Sequence, residues 1–350
     1  MINAKGLRYL KSALSSIVEK TRYRNYELIV LDCATREFHQ WIEQFKLENP
    51  QIVIRHAHID NDIGASDEHN RALQLIDRNS KFVIFLDNDV RVVDPEWVDK
   101  LVNVLYENQV VAAASPIIVN SNQSDKLQWA GGYLLPNMET YEVNSPVEIP
   151  NSDVYETFYF HGAAFIIRRS VLDELRSFGL PMYYNFFFLG HDDIDLSIRL
   201  RLRGYKIMVS RETKIYHKVG GTSSRLSSYR IYHWQKNILC ILLLNYKDFW
   251  TIVKITPLVA LMQCLYTLRF RLSVLSVIKA YIWFFKNLKK LLTLKKAVDR
   301  YSLYDDEYLM KEMYRVIRRN NIRFLGIKFK VYRHFLRSIV SAFCKNCELG

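Results

Sequence analysis

Short apolar runs alternate with segments of helical periodicity over the first 115 residues of the chain. Residues 26–31 and 82–86 are rich in Val, Ile, Leu and Phe and too short to cross a membrane, so each run predicts a buried strand. The other predicted elements are helices over 6–19 and 37–46, a strand over 51–56, a loop that turns into a helix over 60–72, and a helix that begins at Asp94-Pro95 with Asp94 as its N-cap. This β-α-β-α order predicts a doubly wound, mostly parallel, Rossmann-like α/β sheet.

The pattern changes after residue 115, where glycines and prolines interrupt a loop-rich stretch of short strands. Beyond it, the spacing predicts a strand over 165–167, a short helix over 171–175, an amphipathic helix over 191–203, and a strand over 206–209 that leads to a glycine and serine turn at 220–224. We therefore expect one α/β domain over residues 1–240.

Residues 241–350 predict a helical region of different character. The stretches 252–268 and 272–285 are apolar, but charged and amide residues interrupt both before they reach the roughly 20 apolar residues of a spanning helix. Lys and Arg on one side, with Trp, Phe and Leu on the other, are typical of helices that lie in a membrane interface. We expect peripheral attachment to a membrane. Simple packing on the α/β domain and a true span are the alternatives.

Charge and cysteine usage refine this expectation. The net charge is +13, and residues 286–350 hold 16 Lys and Arg against 6 Asp and Glu, so this segment carries +10 and the rest only +3. Such a segment suits an anionic surface, either a membrane or a nucleic acid. The five cysteines lack framework spacing and the first 20 residues lack a signal-peptide pattern, which favours the cytoplasmic face of the membrane.

Asp87 and Asp89 directly follow the apolar run at 82–86. They are expected at the carboxyl end of a parallel strand, where open α/β sheets bind their ligands. Paired carboxylates suit a hard divalent cation such as Mg²⁺ or Mn²⁺ that carries a phosphate. An acidic turn after a strand is the simpler alternative.

A second acidic cluster begins the helix predicted at residue 191. Asp192, Asp193 and Asp195 fall in its first turn, where the helix dipole favours negative charge, and this alone would explain them. The three phenylalanines at 186–188 add an apolar wall, and burial against such a wall raises the pKa of a carboxyl group and makes it a better general base. The cluster therefore predicts an acid–base centre.

His217 ends the last predicted strand, just before the turn at 220–224. A neutral imidazole here is placed to complete a metal site with Asp89, and the backbone amides of the turn are placed to bind phosphate oxygens. A histidine with a purely structural role is the alternative.

Together these motifs resemble those of the family 2 glycosyltransferases, which are inverting enzymes with the GT-A fold. The resemblance covers roughly residues 5–240. It depends on five motifs in the family's order: N-Y-E-L-I-V-L-D at 25–32, N-D-I-G-A at 61–65, F-L-D-N-D at 85–89, H-G-A-A-F-I-I-R-R at 161–169 and D-D-I-D-L at 192–196. The residues W-A-G-G at 129–132 are similar to an element of the rhamnosyltransferase-like branch.

The resemblance implies a nucleotide-sugar donor and the residues that contact it. Asp32 matches the position that contacts the nucleotide base, and Asp87 matches the aspartate that faces the ribose. Asn61 and Gly64 belong to the donor-binding motif that lies between Asp32 and Asp87 in the sequence.

The resemblance also implies a divalent metal, Mn²⁺ or Mg²⁺, held by Asp89 and His217. Asp193 matches the catalytic base, and Asp192 matches the neighbour that orients the acceptor, a position where glutamate is commoner in the family. The expected activity is transfer of a hexosyl or deoxyhexosyl group to a glycan or a lipid-linked acceptor in polysaccharide biosynthesis.

One departure from the family pattern concerns the N-terminus. The family begins with an apolar strand, whereas residues 3–6 of this chain, N-A-K-G, are similar to the residues just after that strand. We therefore expect the first strand to be missing, which makes a catalytically impaired GT-A scaffold one alternative. A nucleotidyltransferase would need a glycine- and lysine- or arginine-rich loop that is not visible. A nucleic-acid-binding role would leave both acidic clusters unexplained.

Overall fold

The computed structural model describes residues 1–122, 126–218, 228–269 and 273–319. Its strands are β1 (Ile2–Ala4), β2 (Glu27–Cys33), β3 (Val53–Ile59), β4 (Phe82–Leu86), β5 (Val90–Val92), β6 (Val111–Asn120), β7 (Lys126–Trp129), β8 (Gly132–Leu134), β9 (Thr140–Glu142), β10 (Val154–Thr157), β11 (Ala164–Arg168) and β12 (Lys206–His217). Its helices are α1 (Leu7–Lys20), α2 (Phe38–Glu48), α3 (Ala65–Ala72), α4 (Trp97–Tyr106), α5 (Arg169–Ser177), α6 (Asp192–Leu202), α7 (Ser228–Asn245), α8 (Phe249–Arg269), α9 (Val274–Lys286), α10 (Leu288–Tyr301) and α11 (Asp306–Arg319).

The first sheet contains β1, β2 and β3, which run parallel and pair in that order. Helices α1 and α2 connect them, as parallel neighbours require. β1 is only three residues long, and its Ile2 and Asn3 pair with Leu31 and Asp32 of β2. The expectation that the first strand is missing is therefore wrong, because these few residues form a strand where β2 offers a parallel partner.

The second sheet is mixed rather than mostly parallel. Its central order is β10-β12-β6-β11-β4, and β5 and β7 pair with β12 and β6 at its margins. β6 and β12 run parallel, whereas β11 lies antiparallel between β4 and β6. The loop-rich stretch after β6 explains the difference, because β11 returns to the sheet without the crossover helix that a parallel neighbour needs.

The core lies between the second sheet and its helices. β6 is buried along its length up to Val119, as expected of a central strand covered on both faces. Helix α4 packs against β6 and β12, and its Leu101 and Leu105 are fully buried. This helix begins at Trp97 and not at the predicted Asp94-Pro95, because Asp94 instead closes a turn by accepting the amide of Glu96 (3.0 Å).

Helix α11 returns the chain to the sheet across the predicted boundary at residue 240. Arg201 of α6 is fully buried and donates to Glu156 of β10 (2.5 Å) and to Glu312 of α11 (3.3 Å). Arg315 of α11 donates two further hydrogen bonds to Glu156 (2.7 and 3.0 Å). This ion-pair network fixes the last described helix to the sheet.

Helices α8 and α9 occupy the two long apolar stretches. α8 is continuous over 21 residues although it contains Pro257. Among the described residues, one stretch, Phe249–Leu268, is long and apolar enough to cross a bilayer, with a mean hydropathy of 1.5. A single helix of this kind indicates a span only weakly, since core helices of soluble proteins share these properties.

Candidate active site

The first acidic motif and His217 meet at the ends of β4 and β12. β5 directly follows Asp89 and pairs with the end of β12, so that Val90 lies opposite His217. Nε2 of His217 lies 3.2 Å from Oδ1 of Asp89 and 3.9 Å from Oδ2 of Asp87. The three residues each offer one ligand atom, and these atoms lie within 4.8 Å of one another. Two carboxylates and one imidazole at this spacing fit a divalent cation.

Gln128 of β7 holds the other ring nitrogen of His217. The side-chain amide of Gln128 lies 3.0–3.1 Å from Nδ1 of His217. Burial alone would lower the pKa of His217, but the hydrogen bond to Asp89 and the charges of both aspartates outweigh burial and raise it. Burial raises the pKa of Asp87 to about 7. The orientation and charge of the imidazole therefore depend on the groups on both of its sides.

The second acidic cluster begins α6, as the sequence predicts. Asp192 accepts a hydrogen bond from the hydroxyl of Ser66 (3.2 Å), and Asp193 accepts one from the backbone amide of Gly162 (3.2 Å). Burial raises the pKa of Asp193, and the charge of Asp192 raises it further. A partly buried carboxyl group with a raised pKa has the properties of a general base.

The third carboxylate of this cluster has a structural role. Asp195 is fully buried in an ion pair with Arg199 (2.8 Å), one helical turn further along α6. Asn245 of α7 donates a hydrogen bond to the other oxygen of Asp195 (2.8 Å). The side chain of Asp195 therefore joins α6 to α7 and leaves the acid–base chemistry to the two preceding aspartates.

The short segment 161–163 joins the two acidic clusters. The ring of its first residue, a histidine, lies 6.0 Å from the ring of His217. The amide of its second residue donates to Asp193, and the carbonyl group of its third accepts a hydrogen bond from the amide of Asp87 (3.0 Å). Three successive residues thus contact both clusters, which places the predicted metal ligands and the predicted base in one site.

Asp32 is fully buried at the end of β2. Asn3 of β1 donates to its Oδ1, while a ring nitrogen of His58 (2.8 Å) and the amide of Thr35 (3.3 Å) contact its Oδ2. These contacts tie the three strands of the first sheet together. A contact between Asp32 and a nucleotide base stays a prediction.

The two other residues predicted to bind the donor lie on the loop between β3 and α3. Asn61 is exposed, whereas Gly64 is buried at the start of α3 with a φ of +84°. A Cβ at Gly64 would lie 2.5 Å from the ring of Phe188, and the amide of Ala65 donates to the carbonyl group of Phe188 (3.1 Å). The donor motif is therefore fixed to the loop that precedes Asp192.

Helix α7 holds this loop from its other side. The side-chain amide of Asn237 donates to three carbonyl groups, those of Phe187, Leu189 and Gly190 (2.7–3.1 Å). Lys236 donates to the carbonyl group of Phe186. Sequence reasoning does not find these residues, because they lie in a largely apolar helix and their partners are backbone atoms.

Two further residues of the site also escape sequence reasoning. Gln128 gives no signal, since its role depends on the pairing of β7 with β6. His161 stands in a motif that carries the family resemblance, which is the signal that could have found it. Burial lowers the pKa of His161 to about 3, and its Nδ1 accepts the amide of Ala163 (3.1 Å), so that the ring is neutral. The turn predicted at 220–224 lies outside the described residues.

Comparison with known proteins agrees with this geometry. The family described as Glycosyl transferase family 2 matches residues 2–176, which are half of the chain. The chain belongs to glycosyltransferase family 2. The matched residues include the aspartate motif after β4 and the segment 161–163, while the predicted base Asp193 and the predicted metal ligand His217 lie beyond them.

This family 2 member is similar to a curated protein, the O-antigen biosynthesis protein RfbC of Myxococcus xanthus. The two are 23% identical over 224 residues, which are 59% of this chain and 16% of RfbC. The chain therefore spans only a small part of the length of this relative.

Three solved glycosyltransferase structures share the fold. GalNAc-T7 with UDP, GalNAc and Mn²⁺ has a TM-score of 0.59 and is 16% identical, covering 92% of this chain and 57% of its own. S. aureus TarS 1–349 with UDP-GlcNAc has a TM-score of 0.54 and 13% identity, with coverages of 100% and 92%. The mannosyltransferase PcManGT from Pyrobaculum calidifontis, with GDP-Man and Mn²⁺, has a TM-score of 0.50 and 13% identity, with coverages of 91% and 86%. At these identities the likeness shows the fold alone, and it confirms the expected GT-A class.

Proposed function

We propose that this family 2 glycosyltransferase inverts the sugar it transfers, moving a hexosyl or deoxyhexosyl group from a nucleotide-sugar to a hydroxyl group of a glycan or a lipid-linked acceptor. The observation that carries the proposal is the bridge through residues 161–163. It joins the proposed cation-binding set of Asp87, Asp89 and His217 to the proposed base Asp193. Transfer from a sugar diphosphate needs both functions, one at the leaving group and one at the acceptor.

Asp193 is the base in this proposal. It takes the proton from the acceptor hydroxyl as the oxygen attacks the anomeric carbon and the bond from that carbon to the diphosphate oxygen breaks. The raised pKa of Asp193 brings its proton affinity closer to that of the attacking hydroxyl, which favours the proton transfer. A single displacement inverts the anomeric configuration. Asp192, held by Ser66, orients the acceptor.

The residues at the end of β4 fit a divalent metal, because two carboxylates and an imidazole offer ligand atoms within 4.8 Å of one another. Asp89 and His217 would hold the ion, with Asp87 beside the ribose. When bound, such an ion neutralises the charge that develops on the leaving diphosphate. Mn²⁺ suits this set better than Mg²⁺, since imidazole is a softer ligand than oxygen.

The comparisons support the donor and the metal. The structures of GalNAc-T7 and PcManGT contain Mn²⁺, with UDP in the first and GDP-Man in the second, and that of TarS contains UDP-GlcNAc. The name of RfbC supports polysaccharide biosynthesis as the setting. The three residues of β1 pair with β2, which favours a complete donor-binding sheet over an impaired scaffold.

Donor binding tests the proposal. A panel of UDP-, GDP- and dTDP-sugars would be titrated with Mn²⁺, with Mg²⁺ and with EDTA. At least one donor should bind in a metal-dependent manner, and Asp89→Ala should abolish this binding. Asp173→Ala, which removes an exposed carboxylate paired with Arg169, is the matched control and should bind as wild type does. Equal nucleotide affinity in Asp89→Ala and wild type, with and without EDTA, would contradict the metal role.

A further inference from the structure

Helix α8 exposes apolar side chains, and it buries polar side chains beside the apolar Ile255 and Val259. Its exposed face is apolar and includes Trp250, Val253, Leu261, Leu265 and Leu268. Its buried face includes the polar residues Thr251, Gln263 and Thr267, each no more than 8% exposed. In a helix that faces water, the polar set would lie outside.

Helix α9 repeats this arrangement. Its exposed residues include Val274, Leu275, Ile278, Ile282 and Phe285, while Ser276 is buried. The hydroxyl of Tyr281 donates to Oε1 of Gln263 on α8 (2.7 Å), so that a polar contact lies between the two helices. The outer faces of both helices together are named here the α8–α9 surface.

Basic and aromatic residues accompany the apolar side chains of the α8–α9 surface. Exposed aromatic rings, Phe249 and Trp250, begin α8. Exposed lysines lie within the surface and beyond its end, at Lys254, Lys279, Lys286, Lys289 and Lys290. An apolar surface that carries lysines and has aromatic rings at one end fits the interface of a bilayer with anionic headgroups, which long lysine side chains can reach. A second copy of the chain would bring like charges together, so lipid is the better occupant.

Trp234 connects this surface with the catalytic centre. Its ring, 37% exposed, stacks on His191, the residue directly before Asp192, with 6.0 Å between ring centroids. The ring of Trp234 also lies 6.3 Å from the ring of Tyr266, which neighbours the exposed Leu265 of α8. The exposed apolar residues of α8, here called the apolar strip, are therefore connected through Trp234 to Asp192 and Asp193.

We propose that the α8–α9 surface enters the apolar boundary of a lipid bilayer and that the enzyme takes its acceptor from that bilayer as a lipid-linked glycan. The inference rests on the proposed function for the reaction itself. The lipid of the acceptor stays in the bilayer beside α8, and its sugar reaches Asp193 past Trp234. This gives the strip between Trp234 and Leu268 a specific role.

Vesicle binding tests the insertion. The protein would be sedimented with phosphatidylglycerol and phosphatidylethanolamine vesicles at low salt and at about 0.5 M salt, where ionic attraction is screened. Wild type should stay bound in high salt, because apolar insertion does not depend on charge. The double variant Leu261→Glu/Leu265→Glu should bind at least about tenfold more weakly. The control Leu47→Glu changes a still more exposed leucine on α2 and should bind as wild type does.

Three results of this experiment would overturn the inference. The first is complete release of wild type from the vesicles by salt, and the second is equal vesicle binding by wild type and the double variant. The third is a wild-type protein that forms dimers and does not bind vesicles, while the double variant is monomeric. Retained donor binding in the double variant shows that it is folded.

A transfer assay tests the acceptor class. Native membranes from the organism that makes the protein would be incubated with the purified enzyme and the radiolabelled donor that binds it. Label in the butanol-extractable lipid, reduced in the double variant, supports the inference. Label confined to water-soluble glycan, or no label while the donor binds, overturns it. Failure of donor binding, in contrast, counts against the proposed function, and insertion can still be measured independently.

Discussion

The backbone amide of Gly162 donates a hydrogen bond of 3.2 Å to Oδ2 of Asp193. Burial and the charge of Asp192 both raise the pKa of Asp193, whereas this amide favours its charged form. The next residue, Ala163, accepts the amide of Asp87. Two adjacent peptide groups therefore fix the spacing between the proposed base and the proposed cation site.

Asp193→Asn should remove nearly all transfer while donor affinity is kept. The substitution hardly changes shape but removes the proton acceptor, and positioned bases contribute about 10²–10⁴-fold to a rate. The measurement is kcat with a saturating donor, beside nucleotide affinity from titration. In wild type the rate should rise with pH as Asp193 loses its proton, since only the charged carboxylate accepts one.

Asp192→Asn is the matched control for this experiment. Removing the Asp192 charge removes one cause of the raised pKa of Asp193, so the rising limb of the pH profile should move to lower pH. Its main kinetic effect should be on the KM for the acceptor. If Asp192→Asn loses turnover and Asp193→Asn keeps it, the two roles are exchanged.

Gln128→Ala should weaken Mn²⁺ binding although Gln128 is not a proposed ligand. The amide of Gln128 orients the imidazole of His217 from its far nitrogen, and loss of such partners costs about 10–100-fold in metal affinity. Calorimetric titration with Mn²⁺ would measure this. Gln128→Glu keeps a hydrogen-bond acceptor for Nδ1 and should restore most of the affinity. Equal affinity in all three proteins would show that His217 needs no support.

Gly64→Ala should destabilise the protein more than Gly179→Ala does. Both glycines have a positive φ, +84° and +75°, which costs alanine about 1 kcal/mol. Only at Gly64 does the new Cβ meet a ring, that of Phe188, which adds about 1–3 kcal/mol for a forced shift of packed groups. Denaturant unfolding of both variants gives the difference, and equal losses would mean that the ring of Phe188 moves freely.

Glu156→Gln should lower the free energy of unfolding at neutral pH by about 3 kcal/mol, because the buried Arg201 loses its closer charged partner and keeps the longer contact of 3.3 Å to Glu312. Burial alone would raise the pKa of Glu156, but hydrogen bonds from Arg315 and the charge of Arg201 lower it from 4.5 to about 2. A carboxyl group whose pKa is lower in the folded than in the unfolded protein stabilises the fold at pH values above its unfolded pKa. This stabilisation is lost as the pH falls towards 2.

The difference between wild type and Glu156→Gln should therefore shrink between pH 4.5 and 2, as followed by urea unfolding at each pH. Glu307→Gln changes an exposed carboxylate that pairs with Lys311 and should follow the wild-type profile. A pH-independent difference would indicate that the network acts by packing alone.

The parts of the site that the sequence predicts are those that local patterns encode. Asp87 and Asp89 follow a recognisable apolar run, and Asp193 begins a helix with a clear acidic first turn. The order of these motifs is also what carries the family resemblance, which the match to residues 2–176 confirms.

What the sequence does not reveal depends on long-range pairing. Gln128 becomes a partner of His217 only because β7 and β12 both pair with β6. Asn237 acts on carbonyl groups nearly 50 residues away, which leave no trace in side-chain patterns. The three residues of β1 are too few to show periodicity, and only pairing with β2 makes them a strand.

The ion-pair network around Arg201 makes the C-terminal helix α11 a structural part of the α/β domain. A fragment that ends at residue 240 would lose Arg315 and Glu312 and would uncover the surface that the buried Leu309 and Met313 of α11 protect. The GT-A portion is therefore not an autonomous module that can be excised or grafted onto another anchor. Expression designs and chimaeras should keep α11, and exchange of helices should be confined to α8 and α9, between α7 and α10.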